Sequence, residues 1–293
     1  MKQKQTTPVL GSALWGWSVD TDCAYSLLAA FYEQGGRCID TASNYPINKN
    51  PGDFHRAEEI LSAWIKAHGV RDLKIISKIG SLNNLGTSQC NLKPSFLLIV
   101  HDRALKLFGT NHACLMVHWD NRSEQAEVDE TVEMLLTLAP QVDEIGLSGL
   151  AHPELYAKYF DSPLIEIKYN PANANGPKHY STFKEPRFLA YGVTMGGLKV
   201  GGSYDATSSA TLRGVDTNRD LGGYAKFLDK HKKHHCAPKT LHHVGLLFAH
   251  NTPNVHGIIL GASKVEQLRD SLSYLSLLNE NDTQTIFRAL SNS

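Results

Sequence analysis

Arg37-Cys38-Ile39-Asp40-Thr41-Ala42-Ser43-Asn44-Tyr45-Pro46 is the stretch from which the rest of the chain is read. Gly35-Gly36 ahead of it marks a loop feeding a short buried strand at Cys38 and Ile39. That strand is expected to end on a carboxylate, Asp40. A phenol, Tyr45, follows on a loop that Pro46 stiffens. A carboxylate withdrawn from water needs a partner. Read alone, Asp40 caps a turn and Tyr45 is a rim aromatic; read as a site, the stretch requires a cation supplied from elsewhere in the chain.

Outward from that stretch, apolar runs alternate with helical patterns. Strands are expected over residues 9–17, 38–40, 73–79, 113–119, 144–148, 164–170, 188–193 and 255–262. Between them, apolar residues recur at helical spacing. Leu27, Leu28 and Phe31 form one such face, behind a cap at Ser18 or Asp20. Ile60, Leu61, Trp64 and Ile65 form the next, and Gly69 ends that helix. Pro94 opens a third, running to Gly109. Further helices are expected over 124–138, 224–235, 239–250 and 282–290, with one starting at Ser263 or Lys264 and a short one at Pro153. Residues 199–221, rich in Gly, Ser and Thr, read as a long mobile loop.

The strands are continuously apolar rather than alternating, so both faces are covered, which means parallel strands under helices. Eight of them favour an α/β (β/α)8 TIM barrel over an open doubly wound sheet. The turn Trp15-Gly16-Trp17-Ser18 lacks the G-x-G-x-x-G that a dinucleotide-binding open sheet would carry there. No repeat or change of composition divides the chain, so residues 1–293 read as a single domain. That length, with 42% hydrophobic residues, supports a sizeable core. Lys plus Arg equals Asp plus Glu at 29 each, which removes any general attraction to nucleic acid or anionic membrane. Five scattered cysteines without a C-x-x-C pair, no apolar signal segment and no membrane-length run point to a cytoplasmic protein.

In a parallel barrel, active sites form where strands end. Asp40, Lys78 and His118 stand at the ends of the second, third and fourth strands, with Tyr45 just beyond the second. Neighbouring strands lie about 5 Å apart, so the four side chains converge. Lys78 is then the cation Asp40 requires. A free phenol titrates near ~10 and is a weak acid at neutral pH. An adjacent ammonium is expected to bring it down. Asp40 would keep Lys78 charged and aimed, and His118 would donate to a carbonyl oxygen. Such a site can protonate an oxygen as charge builds on it, as carbonyl reduction by hydride transfer requires.

With these residues in place the chain resembles the aldo-keto reductase superfamily. The matching segments run in family order: IDTASNY from Ile39, ISKIG from Ile76, LMVHWD from Leu115, GLSG from Gly146, IEIKYNP from Ile165, AYG from Ala190 and ILGASKVEQL from Ile259. The first three carry the family's Asp-Tyr-Lys-His tetrad. The resemblance implies a barrel binding extended NADP(H), with NAD(H) as the alternative, and Tyr45 as general acid and base.

The resemblance also implies cofactor contacts. Ser148 matches a serine that bonds the nicotinamide carboxamide, while Gly149 replaces the asparagine that usually follows. Glu166 replaces a glutamine, and can accept from the carboxamide but not donate to it. Tyr191 matches the aromatic that stacks on the nicotinamide, followed by Gly192-Val193-Thr194 where the family has Ser-Pro-Leu at the pyrophosphate. Gly261, Ser263 and Lys264 match the 2′-phosphate region, Gln267 stands where an arginine is common, and Asp270 and Ser271 replace a Glu-Asn pair near the adenine. Trp15, Trp17 and Trp119, with Asn48 and Phe54, are candidates to line a substrate pocket suited to small-molecule aldehydes, quinones or sugar carbonyls.

His231, His234, His235, His242 and His243 raise a metal reading, but their basic helical context (HKKHH) reads as a solvated face, so no metal is expected. A second functional class remains: a cofactor-binding regulatory subunit on the same barrel with vestigial catalysis, suggested by the altered nicotinamide and pyrophosphate contacts. Oligomeric state has no signature in the sequence.

Overall fold

The computed structural model describes residues 4–205, 209–212 and 214–291. Eight parallel strands close into a barrel: β1 (Thr7–Gly11), β2 (Cys38–Ala42), β3 (Lys74–Ile79), β4 (His112–Asp120), β5 (Glu144–Leu150), β6 (Leu164–Lys168), β7 (Arg187–Tyr191) and β8 (Val255–Leu260). Each strand pairs with its neighbour in sequence, and β8 returns to β1 through Val9 opposite Ile259. The outer layer holds α1 (Thr21–Glu33), α2 (Arg56–His68), α3 (Pro94–Phe108), α4 (Gln125–Leu138), α5 (Gly176–His179), α6 (Ser209–Leu212), α7 (Gly222–His231), α8 (Leu241–Asn251), α9 (Val265–Glu280) and α10 (Gln284–Ser291). The alternation is incomplete: β5 reaches β6 through a single 3-10 turn, Pro153–Leu155, and β6 reaches β7 past the four-residue α5.

Residues paired across a sheet face the same side, and side chains alternate along each strand. The pairs Gly11 with Asp40, Lys78 with Met116, His118 with Ser148 and Ser148 with Glu166 therefore share the interior face. Below them, Val9, Ile76, Cys114, Met116, Leu164, Leu189 and Ile259 form a separate apolar cluster, the plug of the barrel. A step of two residues up each strand replaces that plug with Gly11, Asp40, Lys78, His118, Ser148, Glu166, Tyr191 and Gly261. The outward faces belong to the larger core between strands and helices, with Ile39, Ile75, Leu115, Leu147, Ile165 and Phe188 buried.

Two expected boundaries differ in a way that matters. β2 does not stop at Asp40 but runs on to Ala42, so the carboxylate hangs inside the barrel rather than at its lip. The first strand is shorter than residues 9–17. Ser12 onward is loop, with Trp15 N–H donating to the Ser12 carbonyl at 3.0 Å, and Trp15 is 0% exposed in the core. Asp20 caps α1 as expected, accepting from Cys23 N–H at 2.8 Å.

The stretch 199–221, expected as a long mobile loop, contains α6, and several of its residues form a wall of the cleft described below. A Cβ on Gly196 would meet Val215 at 2.4 Å, so the segment packs back on the turn that follows β7. That turn is also held from behind: a Cβ built on Gly245 of α8 would lie 1.9 Å from the Val193 carbonyl oxygen. Gly245→Ala must push α8 off the turn. It should cost about 2 kcal/mol or more and lower the denaturant midpoint measured by circular dichroism.

Buried histidines make the fold acid-sensitive. Burial, with His101 beside it, lowers His112 to about 4, and burial with Lys4 nearby lowers His250 to about 4. Both lie below their ordinary 6.5, so the folded state resists protonation where the unfolded chain accepts it. Their contribution is complete above pH 6.5 and is lost as the pH falls from 6.5 towards 4. Melting temperature should therefore drop across that window, and His112→Leu, at a ring with no hydrogen-bond partner among the described residues, should flatten the drop.

Candidate active site

The upper interior layer opens into a cleft of about 1090 Å³. Asp40, Tyr45, His118, Ser148, Glu166, Tyr191 and Gly261 line it, with Trp17 and Trp119 at the rim. Lys78 lies under this lining, fully buried, with its ammonium donating to Asp40 Oδ1 and, at 3.0 Å, to Glu166 Oε1. Ser148 Oγ donates to the other oxygen, Glu166 Oε2, at 3.3 Å. Asp40, Lys78 and Glu166 come from three different strands and are all buried.

Backbone contacts fix Tyr45. Its N–H donates to the Ala42 carbonyl at 3.1 Å, and Ala57 N–H, at the start of α2, donates to the Tyr45 carbonyl at 3.3 Å. The Lys78 ammonium lies 5.0 Å from the Tyr45 ring centroid, and the His118 ring sits edge-on to the phenol at 6.3 Å. Asn84, in the loop after β3, spans the next turn by donating to Pro46 O, Asn48 Oδ1 and Asn50 O.

Burial pushes the Tyr45 phenol well above its ordinary 10. Lys78 pulls it down, while Asp40 and Glu166 push it further up. The ammonium acts in the expected direction but does not win, a correction to the net lowering the sequence suggested. Burial acts to neutralise Lys78, yet the two carboxylates hold it charged, above its ordinary value. Burial, then Glu166, raises Asp40 well above the usual carboxylate range against the pull of Lys78. Burial and the Lys78 charge keep His118 neutral, with Ser81 Oγ 3.3 Å from its Nδ1.

Gly149, in place of the asparagine the resemblance expects, has φ +66°, and a Cβ there would lie 2.4 Å from Trp119 Cδ1. The indole occupies the space that a side chain would need. Asp120, at the end of β4, is held by Arg122 Nε at 2.9 Å and Nη2 at 2.8 Å, and by the Tyr156 hydroxyl at 2.6 Å. That makes it an anchor outside the site.

The remaining sequence candidates divide. Trp15 does not line the cleft: it is core, because the loop after β1 folds it inward. Asn48 and Phe54 are also absent from the lining, where Ile47 and Lys49 stand instead. Ser263, Lys264 and Gln267 lie past the cleft at the start of α9, where Ser263 N–H and Oγ both donate to Gln267 Oε1 at 3.1 Å. Unforeseen lining residues are Lys168, Asn170, Met195, Asp216 and Arg219. The last two sit in the stretch expected to be loose loop, where no periodicity signals an inward face.

The histidine-rich segment is not simply a solvated face. His243 is buried, bonded to Asp270 at 2.8 Å and stacked on Tyr274, while His242 meets Ser271 Oγ at 2.6 Å. His234, His235 and Cys236 bring possible ligand atoms within 4.8 Å of one another. The five cysteines are free thiols. No helix among the described residues is long and apolar enough to cross a membrane.

The family model of the aldo/keto reductases matches residues 9–290. The chain belongs to the aldo/keto reductase family. This aldo/keto reductase is 25% identical over 314 aligned residues to Protein tas of Escherichia coli K12, covering 92% of this chain and 89% of that one. It is 32% identical over 133 residues to the Saccharomyces cerevisiae protein named "Probable aryl-alcohol dehydrogenase AAD4", a match covering 41% of this chain and 37% of that one. A thermostable aldo-keto reductase crystallised with the inhibitor epalrestat superposes with a TM-score of 0.70 at 19% identity, over 97% of this chain and 94% of that one, and so shares the fold. The protein is an oxidoreductase of a family that generally uses NAD(P)H.

Removing the cation tests the electrostatics of the site directly. Lys78→Met leaves Asp40 and Glu166 facing each other without a counter-charge. It should cost on the order of 3–5 kcal/mol at neutral pH, read as a lowered urea midpoint. Met is close to Lys in length and keeps the packing, so an unchanged midpoint would show that the ion pairs contribute nothing.

Proposed function

We propose that this protein reduces a small-molecule aldehyde or ketone with NADPH, Tyr45 being the acid that protonates the carbonyl oxygen. The observation that carries the reading is the convergence of Tyr45, Asp40 and His118 on one cleft, with the Lys78 ammonium buried directly beneath them, in a chain of this family. The nicotinamide, when bound, supplies the hydride. The protein's own residues do the rest. Tyr45 holds the proton to be delivered, and its raised pKa keeps it protonated across the neutral range. Lys78 stabilises the phenolate left behind. His118 is neutral, and we assign the Ser81 hydroxyl, 3.3 Å from Nδ1, as the donor of that pair, which puts the ring proton on Nε2 to orient the carbonyl.

The lining suits the cofactor. Tyr191 is 40% exposed at the top of β7 and offers a flat platform for a nicotinamide ring. Gly192 and Gly196, at φ +68° and +76°, let the backbone after β7 come close to a pyrophosphate, with Arg219 as its cation in place of the missing Ser-Pro-Leu. The start of α9 has no side-chain cap, which leaves backbone N–H groups and Lys264 for the 2′-phosphate and favours NADPH over NADH. Trp17 and Trp119 make the substrate end aromatic, which suits an aryl aldehyde; the yeast relative is named a probable aryl-alcohol dehydrogenase. We place the enzyme in the cytoplasm.

Glu166 is already engaged by Lys78 and Ser148, which favours the second reading to this extent: a carboxamide must compete for it. Turnover separates the two. Purified protein should oxidise NADPH in the presence of a panel of aryl aldehydes, followed by the loss of cofactor absorbance. Tyr45→Phe should lower kcat by about 10²–10⁴-fold while leaving NADPH affinity, measured by fluorescence titration, within a factor of a few. Tight NADPH binding without turnover in the wild type would select the regulatory subunit.

A further inference from the structure

Lys78 is shared between two acids. Its ammonium donates both to Asp40 and to Glu166, and all three groups are buried. The two carboxyl groups therefore meet on one nitrogen, Asp40 through Oδ1 and Glu166 through Oε1. One ammonium balances one carboxylate, so two ionised carboxylates would leave a net negative charge in a site shielded from water. Such a charge is expensive to hold, and two adjacent acids relieve it by retaining one proton between them. An amide at position 166, the residue type that the resemblance expects, would carry no charge and create no such conflict.

The other ionisable groups around the pair do not resolve it. Facing it are Tyr45 from the loop after β2, His118 of β4, Cys38 and Cys114 of the layer below, Tyr191 of β7 and Tyr180 beyond α5. Burial keeps His118 neutral, and it raises the thiols and phenols and keeps them protonated, so Lys78 is the only cation among these neighbours. Ser148 donates to Glu166 Oε2, so both Glu166 oxygens already accept a hydrogen bond, from Lys78 and from Ser148, and the shared proton falls to Asp40. The raised pKa of Asp40 agrees with that assignment.

We propose that Asp40 and Glu166 share one proton over the Lys78 ammonium, with Glu166 the counter-ion and Asp40 the neutral acid. Glu166 is then a positioning residue for the proton chemistry, acting on Tyr45 through Lys78. At neutral pH the trio is electrically balanced. At alkaline pH the shared proton leaves, Tyr45 faces two carboxylates, and its own ionisation is deferred further.

Infrared spectroscopy of the full, ligand-free chain at neutral pH tests the shared proton. Wild type should show the carbonyl stretch of a protonated carboxyl group, shifting in D2O and shifting again with carbonyl-13C aspartate. Glu166→Gln and Asp40→Asn should each abolish it, since either leaves one carboxylate matched to one ammonium. A band that survives Glu166→Gln would mean that burial alone protonates Asp40, and no band in wild type would mean that both acids are ionised; either result overturns the proposal.

A kinetic arm rests on the carbonyl-reductase reading. The alkaline limb of kcat/KM for aldehyde reduction should move down by about one pH unit or more in Glu166→Gln, because a charge that raises the Tyr45 pKa is gone. An unmoved limb in an active enzyme counts against the coupling to Tyr45. Should no aldehyde be reduced while the infrared band behaves as stated, the shared proton stands and the functional reading falls.

Discussion

A single ammonium, enclosed by the barrel and shared by two carboxyl groups, is the constraint on which the rest of the site depends. Lys78 reaches its position because β3 places it one inward step above Ile76, and its charge survives because Asp40 stands on the adjacent β2 and Glu166 on β6 across the barrel. Without them, burial would strip the proton from the amine. Without the amine, two acids would be stranded out of water. Burial sets the phenol of Tyr45 and the imidazole of His118 first, and the trio then acts on both, while the hydroxyl of Ser148 is held by one of its carboxylates.

The barrel supplies the precision. Its interior is built in levels, and one step of two residues converts an apolar plug into a ring of polar groups. The plug keeps water from entering from below and gives the polar level a rigid floor. Backbone bonds at Ala42 and Ala57 tie down the Tyr45 loop, and three Asn84 contacts brace the turn that follows. The opposite wall is pinned by close approach: the Val193 carbonyl rests against Gly245, where α8 has no side chain.

Much of this was legible from the chain. Apolar runs without alternation identify covered parallel strands, their number identifies the barrel, and the barrel sends Asp40, Lys78 and His118 to one mouth. What failed to show was long-range or lacked a period. Glu166 is 88 residues from Lys78 in sequence, and no local pattern says that a carboxylate there will share its partner. Trp15 is a candidate for the pocket on its residue type alone, and only the turn at Ser12, which the apolar run does not announce, folds it into the core. The Gly- and Ser-rich residues before Leu221 gave no sign that Asp216 and Arg219 would face the cleft, since irregular backbone assigns no inner side. His243 lay in a basic segment, but its burial comes from Asp270 and Tyr274, one helix further on.

The contact between Gly149 and Trp119 has a further implication for the shape of the cleft. A Cβ at position 149 would stand 2.4 Å from the indole, on backbone at φ +66°, so any side chain there requires the ring to swing aside. The rim that Trp119 forms is therefore set from behind by the absence of a side chain on the neighbouring strand, and a change at 149 is felt at the mouth of the cleft without replacing a single lining residue.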